Sequence, residues 1–242
     1  MYKGIYIAAS GAVLKQTELD LAAQNLANSN TLGYKKDSVS FKEYLFQMAA
    51  GAAPDGRAMS DYADFKTDFS SGTIIKTGNS LDIAIDGNGL IALEGDRYTR
   101  RGDLKKDREG YLTTFNGKKV MGNGGPILIP ADTVEINIDY EGKISVIQAG
   151  STTPVELDTI KIMDFGPEAV ITKANDGQLT VVGNGTPTTS VVRQEYLETS
   201  NVDTVKEMVH MIQVMREFET YQKAIQTFDD ATAKVNNDMG RL

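Results

Sequence analysis

The stretch VDTVKEMVHMIQVMREFETYQKAIQTFDDATAKVNNDM, Val202 to Met239, decides how this 242-residue chain is organised. No Pro or Gly interrupts it before Gly240. It is predicted as one helix, roughly 55–60 Å long at the rise of an α-helix. Ser200, Asn201 and Asp203 supply capping and first-turn chemistry at its start, and Gly240 the expected stop. Apolar residues recur at Val202, Val205, Val209, Ile212, Met215, Phe218, Tyr221, Ile225, Phe228, Ala231, Val235 and Met239, with Met208 and Met211 beside them. Steps of three outnumber steps of four. Each step of three lags a straight helix by about 60°, so the apolar stripe winds around the rod. A single neighbour cannot cover such a stripe.

The opposite end of the chain offers one partner. Residues Met1 to about Asn28 are also predicted helical. Tyr2, Ile5, Ala9, Ala12, Gln16, Leu19, Ala23 and Leu26 recur at helical spacing, and Tyr6, Val13, Leu14, Leu21, Ala22 and Ala27 lie alongside. Small side chains at many of these positions permit close approach of a second helix. Gly4 and Gly11 each cost roughly 1 kcal/mol of intrinsic helicity relative to Ala, which packing must offset. Two readings follow: a helix pair closing one domain, or terminal helices that pack against other copies.

Between the helices the pattern changes twice. Residues 36–72 are expected to be a linker or extended arm, because 47–72 are small and polar, with Ala-Ala-Gly-Ala-Ala-Pro-Asp-Gly at 49–56. From Thr73 to Glu198 the period falls to two. Asp86-Gly87-Asn88-Gly89, Gly95-Asp96, Glu109-Gly110, Asn116-Gly117 and Glu141-Gly142 are hairpin signals, since they supply the positive φ such turns require. The expected fold class is α+β: long N- and C-terminal helices packed as a pair, residues 1–35 and 199–242, with a mostly antiparallel β domain at 73–198 inserted between them.

Composition narrows the function. A net charge of −8 argues against general nucleic-acid binding. There is no cysteine, so neither disulfides nor thiol chemistry is available. No stretch approaches the roughly 20 apolar residues of a membrane span. The N-terminus lacks the basic start, apolar core and cleavage site of a secretory signal. The only histidine, His210, stands in Glu207-Met-Val-His210, half of a carboxylate di-iron motif. Without a second such pair it is expected to be a packing or hydrogen-bonding residue. Gly122-Asn-Gly-Gly125 lacks the strand–helix context of a nucleotide loop. Neither a catalytic set nor a cofactor or metal site is expected, and no small-molecule substrate. Arg97, Arg100, Arg101, Lys105, Lys106 and Arg108 stand against only Asp103 and Asp107, a local +4. That is either a solvated hairpin or an electrostatic contact with an acidic face of another subunit, and residues 191–242, six basic against nine acidic, offer one.

Three motifs in order resemble the flagellar axial proteins, specifically basal-body rod proteins of the FlgF/FlgG type. The first is Ala9-Ser10-Gly11-Ala12 followed by Asn25-x-Ala27-Asn28-x-x-Thr31-x-Gly33-Tyr34-Lys35. The second is Ser80 to Gly89 followed by Tyr98-Thr99-Arg100-Arg101-Gly102-Asp103. The third runs from Glu198-Thr199-Ser200-Asn201-Val202-Asp203 into the last helix. The resemblance implies a structural rod subunit of the periplasmic basal body, exported through the flagellar type III apparatus without signal cleavage. Its partners would be other copies of itself and other rod proteins. Its terminal helices would form the tube wall, with Asn25, Asn28, Thr31, Gly33, Tyr34, Val205, Val209, Ile212, Met215, Phe218, Ile225 and Phe228 in assembly. The opening Met-Tyr-Lys-Gly-Ile-Tyr-Ile-Ala-Ala-Ser-Gly leans toward the FlgF-like proximal-rod member. A distal-rod or hook-type axial protein is the alternative within the family. An enzyme or a carbohydrate-binding module is the alternative outside it; the first would show a deep polar pocket, the second an aromatic-lined face.

Overall fold

A computed structural model describes residues 2–45, 58–166, 169–174, 177–188 and 190–239. The chain forms two compact units. One comprises Met1–Ala27, Asp37–Asp68 and Asp203–Leu242, the other Asn28–Lys36 and Phe69–Val202. The architecture is α+β.

The first unit holds helix α1 (Tyr2–Ala27), strands β1 (Asp37–Leu45) and β2 (Ala58–Thr67), and helix α2 (Thr204–Met239). The capping expectation for α2 resolves onto Asp203. Its carboxylate accepts the amides of Val205 and Lys206, both at 3.1 Å, and satisfies donors that a helix start leaves without partners. The proposed stop at Gly240 lies outside the described residues. Over the stretch expected to be a linker or extended arm, β1 and β2 pair antiparallel, with a register shift at Ser40/Phe41. The Ala-rich run at 49–56 lies outside the described residues. These strands carry Asp, Lys, Glu and Ser between their apolar residues, so the β-branched enrichment that marks a strand is weak.

The second unit is antiparallel β. Its largest sheet has the order β13 (Val170–Lys173), β14 (Leu179–Val182), β6 (Arg97–Thr99), β5 (Leu90–Leu93), β12 (Ile162–Phe165), β15 (Gly185–Pro187). A three-stranded sheet has the order β11 (Val155–Thr159), β10 (Lys143–Gln148), β9 (Thr133–Ile138). Shorter pairs join β4 (Ile83–Asp86) to β16 (Val191–Gln194), β3 (Ile74–Lys76) to β17 (Tyr196–Glu198), and β7 (Lys105–Lys106) to β8 (Leu112–Thr113). Ile83, Ile85, Ile91, Leu93, Leu112 and Val120 sit in one continuous core with Ile127, Ile129, Ile138, Ile144, Val146, Ile160 and Ile162. Gly95 and Asp96 both take positive φ within the three-residue hairpin loop Glu94-Gly95-Asp96, since Leu93 pairs with Arg97 across it. The Asp86–Gly89 signal behaves differently. Strand β4 pairs with β16 rather than with β5, so this turn moves the chain between sheets.

Candidate assembly surface

Helices α1 and α2 touch along a seam where small and polar residues of α1 meet aromatic and polar residues of α2. A Cβ at Gly11 would fall 2.6 Å from the Tyr221 ring, and one at Gly4 2.9 Å from Phe228. Between and beyond these contacts, Lys15 pairs with Glu217 at 2.7 Å, and His210 Nε2 lies 3.1 Å from a Glu18 oxygen. Numbers rise on one helix as they fall on the other, so the contacts run antiparallel. On α1 the seam follows Gly4, Ala8, Gly11, Lys15, Glu18, Ala22 and Asn25, steps of three and four throughout. His210 therefore serves as a hydrogen-bonding residue. Among the described residues, no group of three or more side chains could hold a metal ion.

This seam divides the predicted assembly residues. At 100° per residue, Glu207, His210, Val214, Tyr221 and Phe228 fall within about 60° of one another. Phe218 and Ile225 lie on the same side and are half-buried. Val205, Met208, Val209, Ile212 and Met215 occupy the opposite side and are exposed, Val205 to 70% and Ile212 to 45%. On α1, Tyr6 and Val13, seven residues apart and away from Gly4 and Gly11, are exposed as well. The small face of α1 meets α2, and the aliphatic face of α2 remains in solvent.

Asn25 and its neighbours hold local geometry. The Asn25 amide donates to the Asp37 carbonyl at 2.8 Å and to Glu207 Oε1 at 3.0 Å, and its oxygen accepts the Asp37 amide at 3.0 Å. It ties the end of α1 to the start of β1 and the first turns of α2. Asn25→Ala is expected to lower the stability of this unit by about 1–3 kcal/mol, the cost of breaking buried hydrogen bonds. Urea unfolding followed by far-ultraviolet circular dichroism measures it; an unchanged midpoint would contradict this role. Thr31 Oγ1 donates to Asn28 Oδ1 at 3.1 Å. Gly33 adopts φ +65°, and a Cβ there would meet the backbone of Arg100 at 2.7 Å. Only glycine satisfies both constraints without strain. The Tyr34 ring lies 4.1 Å from Lys173 Nζ.

The cationic stretch splits too. Arg100 is not on the surface; it is buried. Its Nε donates to Glu198 at 2.5 Å, and its two terminal nitrogens donate to the Gly89 and Ile85 carbonyls, both at 2.6 Å. Lys35 Nζ reaches the other Glu198 oxygen at 2.7 Å, which also accepts the Gly72 amide at 2.8 Å. Two buried cations thus share one carboxylate. Burial pushes the Glu198 carboxyl up, but Arg100, Lys35 and the Gly72 amide outweigh it and hold it below its ordinary value. One member comes from each of the three motifs, which is the signal that could have linked them. Arg97 is half-buried on β6, while Lys105 and Lys106 are exposed. Arg101 pairs with Asp103.

A helix pair with an outward aliphatic face, in a chain that also carries a well-cored β unit, defines a subunit built for assembly. Residues 5–35 match the family model described as "Flagella basal body rod protein", 84–146 that of "Flagellar hook protein FlgE/F/G D1 domain", and 193–238 that of "Flagellar basal body rod FlgEFG protein C-terminal". The chain is 32% identical to the flagellar basal-body rod protein FlgG of Bacillus subtilis, over 98% of this chain and 99% of that protein. It is 33% identical to FlgG of Borreliella burgdorferi, over 98% of each, and 28% identical to FlgF of Caulobacter vibrioides, over the full length of both. The chain belongs to the flagellar basal-body rod protein family of FlgF/FlgG type. It is a structural subunit of the basal body and not an enzyme, and it assembles with other rod components. Relatives under both names align across the whole chain, so overall likeness does not divide the two types.

Proposed function

We propose that this chain polymerises through its terminal helices, acting as a pair, into the tubular shaft of the rod. The helical unit, residues 1–27, 37–68 and 203–242, furnishes the shaft, and the β unit, residues 28–36 and 69–202, forms a separate module. The chain reaches its place through the flagellar type III export apparatus. The observation that supports this reading most is the outward stripe Val205, Met208, Val209, Ile212 and Met215 on a helix whose other side is already occupied. Fully burying one such side chain contributes roughly 1.5–3 kcal/mol, so a repeated contact along this stripe is a strong driving force. Tyr6 and Val13 on α1 extend the same reading.

A photo-crosslinking residue distinguishes the two sides of α2 in assembled basal bodies. At Ile212 it is expected to capture a second subunit. At Val214, which is buried against its own chain, it is expected to give only intramolecular products. Intramolecular capture alone at both positions would overturn the proposal.

A further inference from the structure

The β unit carries two oppositely charged faces. The first surrounds β7 and β8. Residues Arg101–Lys119 hold six basic side chains against three acidic, a net +3. Pairing sets Lys105 beside Thr113, and Thr113 beside Lys119. Phe115 is 56% exposed next to the Asn116-Gly117 turn. Lys105 Nζ stands 4.2 Å from its ring centroid, and the Arg101 guanidinium carbon 4.9 Å. Lys119 Nζ stands 3.7 Å from the centre of the Tyr111 ring. The aromatic faces hold these cations in place before any partner arrives, which lowers the ordering cost of binding. Exposed aromatics beside arginine are also characteristic of interface centres.

The second face is the outer side of the β9–β11 sheet. Residues Asp132–Asp158 hold six acidic side chains against one basic, a net −5. In register, Ser145 lies between Asn137 and Glu156, and Ile147 lies opposite Glu135. The alternate residues Ile144 and Val146 are in the core. Glu135, Glu156 and Ile147 therefore share the side turned away from the core. Glu135 and Glu156 are exposed, as are Val134 and Tyr140 nearby. Among the described residues, no ion pair joins this sheet to the cationic face.

We propose that the Phe115 cationic face of one copy docks on the acidic outer face of the β9–β11 sheet of a second copy. Two different patches meet, so the contact propagates from copy to copy instead of closing as a symmetric dimer. The charge complementarity selects this partner, since both faces belong to the same chain and neither is neutralised by the other. This replaces residues 191–242 as the acidic acceptor and leaves out Arg100, whose charge is spent on Glu198. The inference rests on the self-assembly reading in requiring a second copy, but not on the helices.

Charge reversal in the full chain tests it by sedimentation of assembled protein. Lys118 is exposed beside the Asn116-Gly117 turn of the cationic face; K105E with K118E, or E135K with E156K, is expected to raise the concentration needed for assembly by about tenfold or more. All four changes in one chain restore complementarity with reversed sign, and assembly is expected to return toward the unaltered chain. Thermal unfolding separates an interface effect from misfolding. Because the chain has no cysteine, K105C and E156C chains mixed under oxidising conditions give a second readout. A crosslink between the two variants, exceeding that within either alone, is expected. Additive losses in the fourfold variant with no mixed crosslink would overturn the proposal. So would loss from the cationic pair alone accompanied by binding of a polyanion such as heparin, which would mark a site for another class of partner. Failure of the helix-mediated reading would look different, since lysines on the α2 stripe would then leave sedimentation unchanged.

Discussion

Glu198→Ala is expected to destabilise the β unit by roughly 3–5 kcal/mol, because it leaves two buried cations without their shared carboxylate. Native domains have only about 5–15 kcal/mol in hand, so the variant should populate unfolded forms at ordinary temperature. The side chains of Lys35, Arg100 and Glu198 are each at most 3% exposed, and water cannot take over the lost role. Glu198→Gln keeps the shape and removes the charge, which imitates protonation. The acid limb follows from the same geometry. The folded-state value of Glu198 is depressed, so its contribution is fully present above the ordinary glutamate value of about 4.3 and is lost as pH falls through the folded value. Urea midpoints should hold steady from neutral pH to about 4.5 and then fall. In Glu198→Gln they should start lower and fall less. Equal midpoints for the parent and Glu198→Ala at neutral pH would sink the account, as would an acid limb unchanged in Glu198→Gln.

That cluster also shows where sequence reading stops. The existence of α2 was legible because a long run without Pro or Gly leaves the backbone few alternatives. Its seam was not. Apolar spacing marks where a helix has oil to hide, but α1 meets α2 through Gly4, Gly11, Lys15 and Glu18, chosen for size and pairing. The apolar list therefore mixed two sides, Phe218, Ile225 and Phe228 toward the seam and Val205, Val209, Ile212 and Met215 away from it. Arg100 read as one member of a surface charge run, because its partner Glu198 lies far along the chain. The strands β1 and β2 were hidden by their charged and serine-rich composition. Site chemistry was easier to exclude than to locate: a lone histidine and no cysteine leave little to build with.

Val209→Lys combined with Ile212→Lys is expected to abolish rod assembly while leaving the monomer folded. Both positions are about half exposed in the single chain, at 52% and 45%, and a lysine stem can lie along the helix with its ammonium in water. Monomer stability should therefore change by no more than about 0.5 kcal/mol, as for ordinary surface substitutions. In the assembled rod the same side chains would be enclosed against a neighbour, where an unpaired charge costs several kcal/mol. Each 1.4 kcal/mol is about tenfold in an equilibrium constant, so a cost of about 3 kcal/mol per contact raises the assembling concentration more than a hundredfold. Val214→Lys is the informative contrast. Val214 is 2% exposed on the seam side, and a charge there should unfold the helix pair itself, lowering helicity before assembly is in question. Circular dichroism and sedimentation on the same samples separate the outcomes. The double variant should keep its helical signal and stay in the supernatant, whereas Val214→Lys should lose both signal and assembly. A double variant that pelleted like its parent would show that the outward face of α2 is not where the subunits meet.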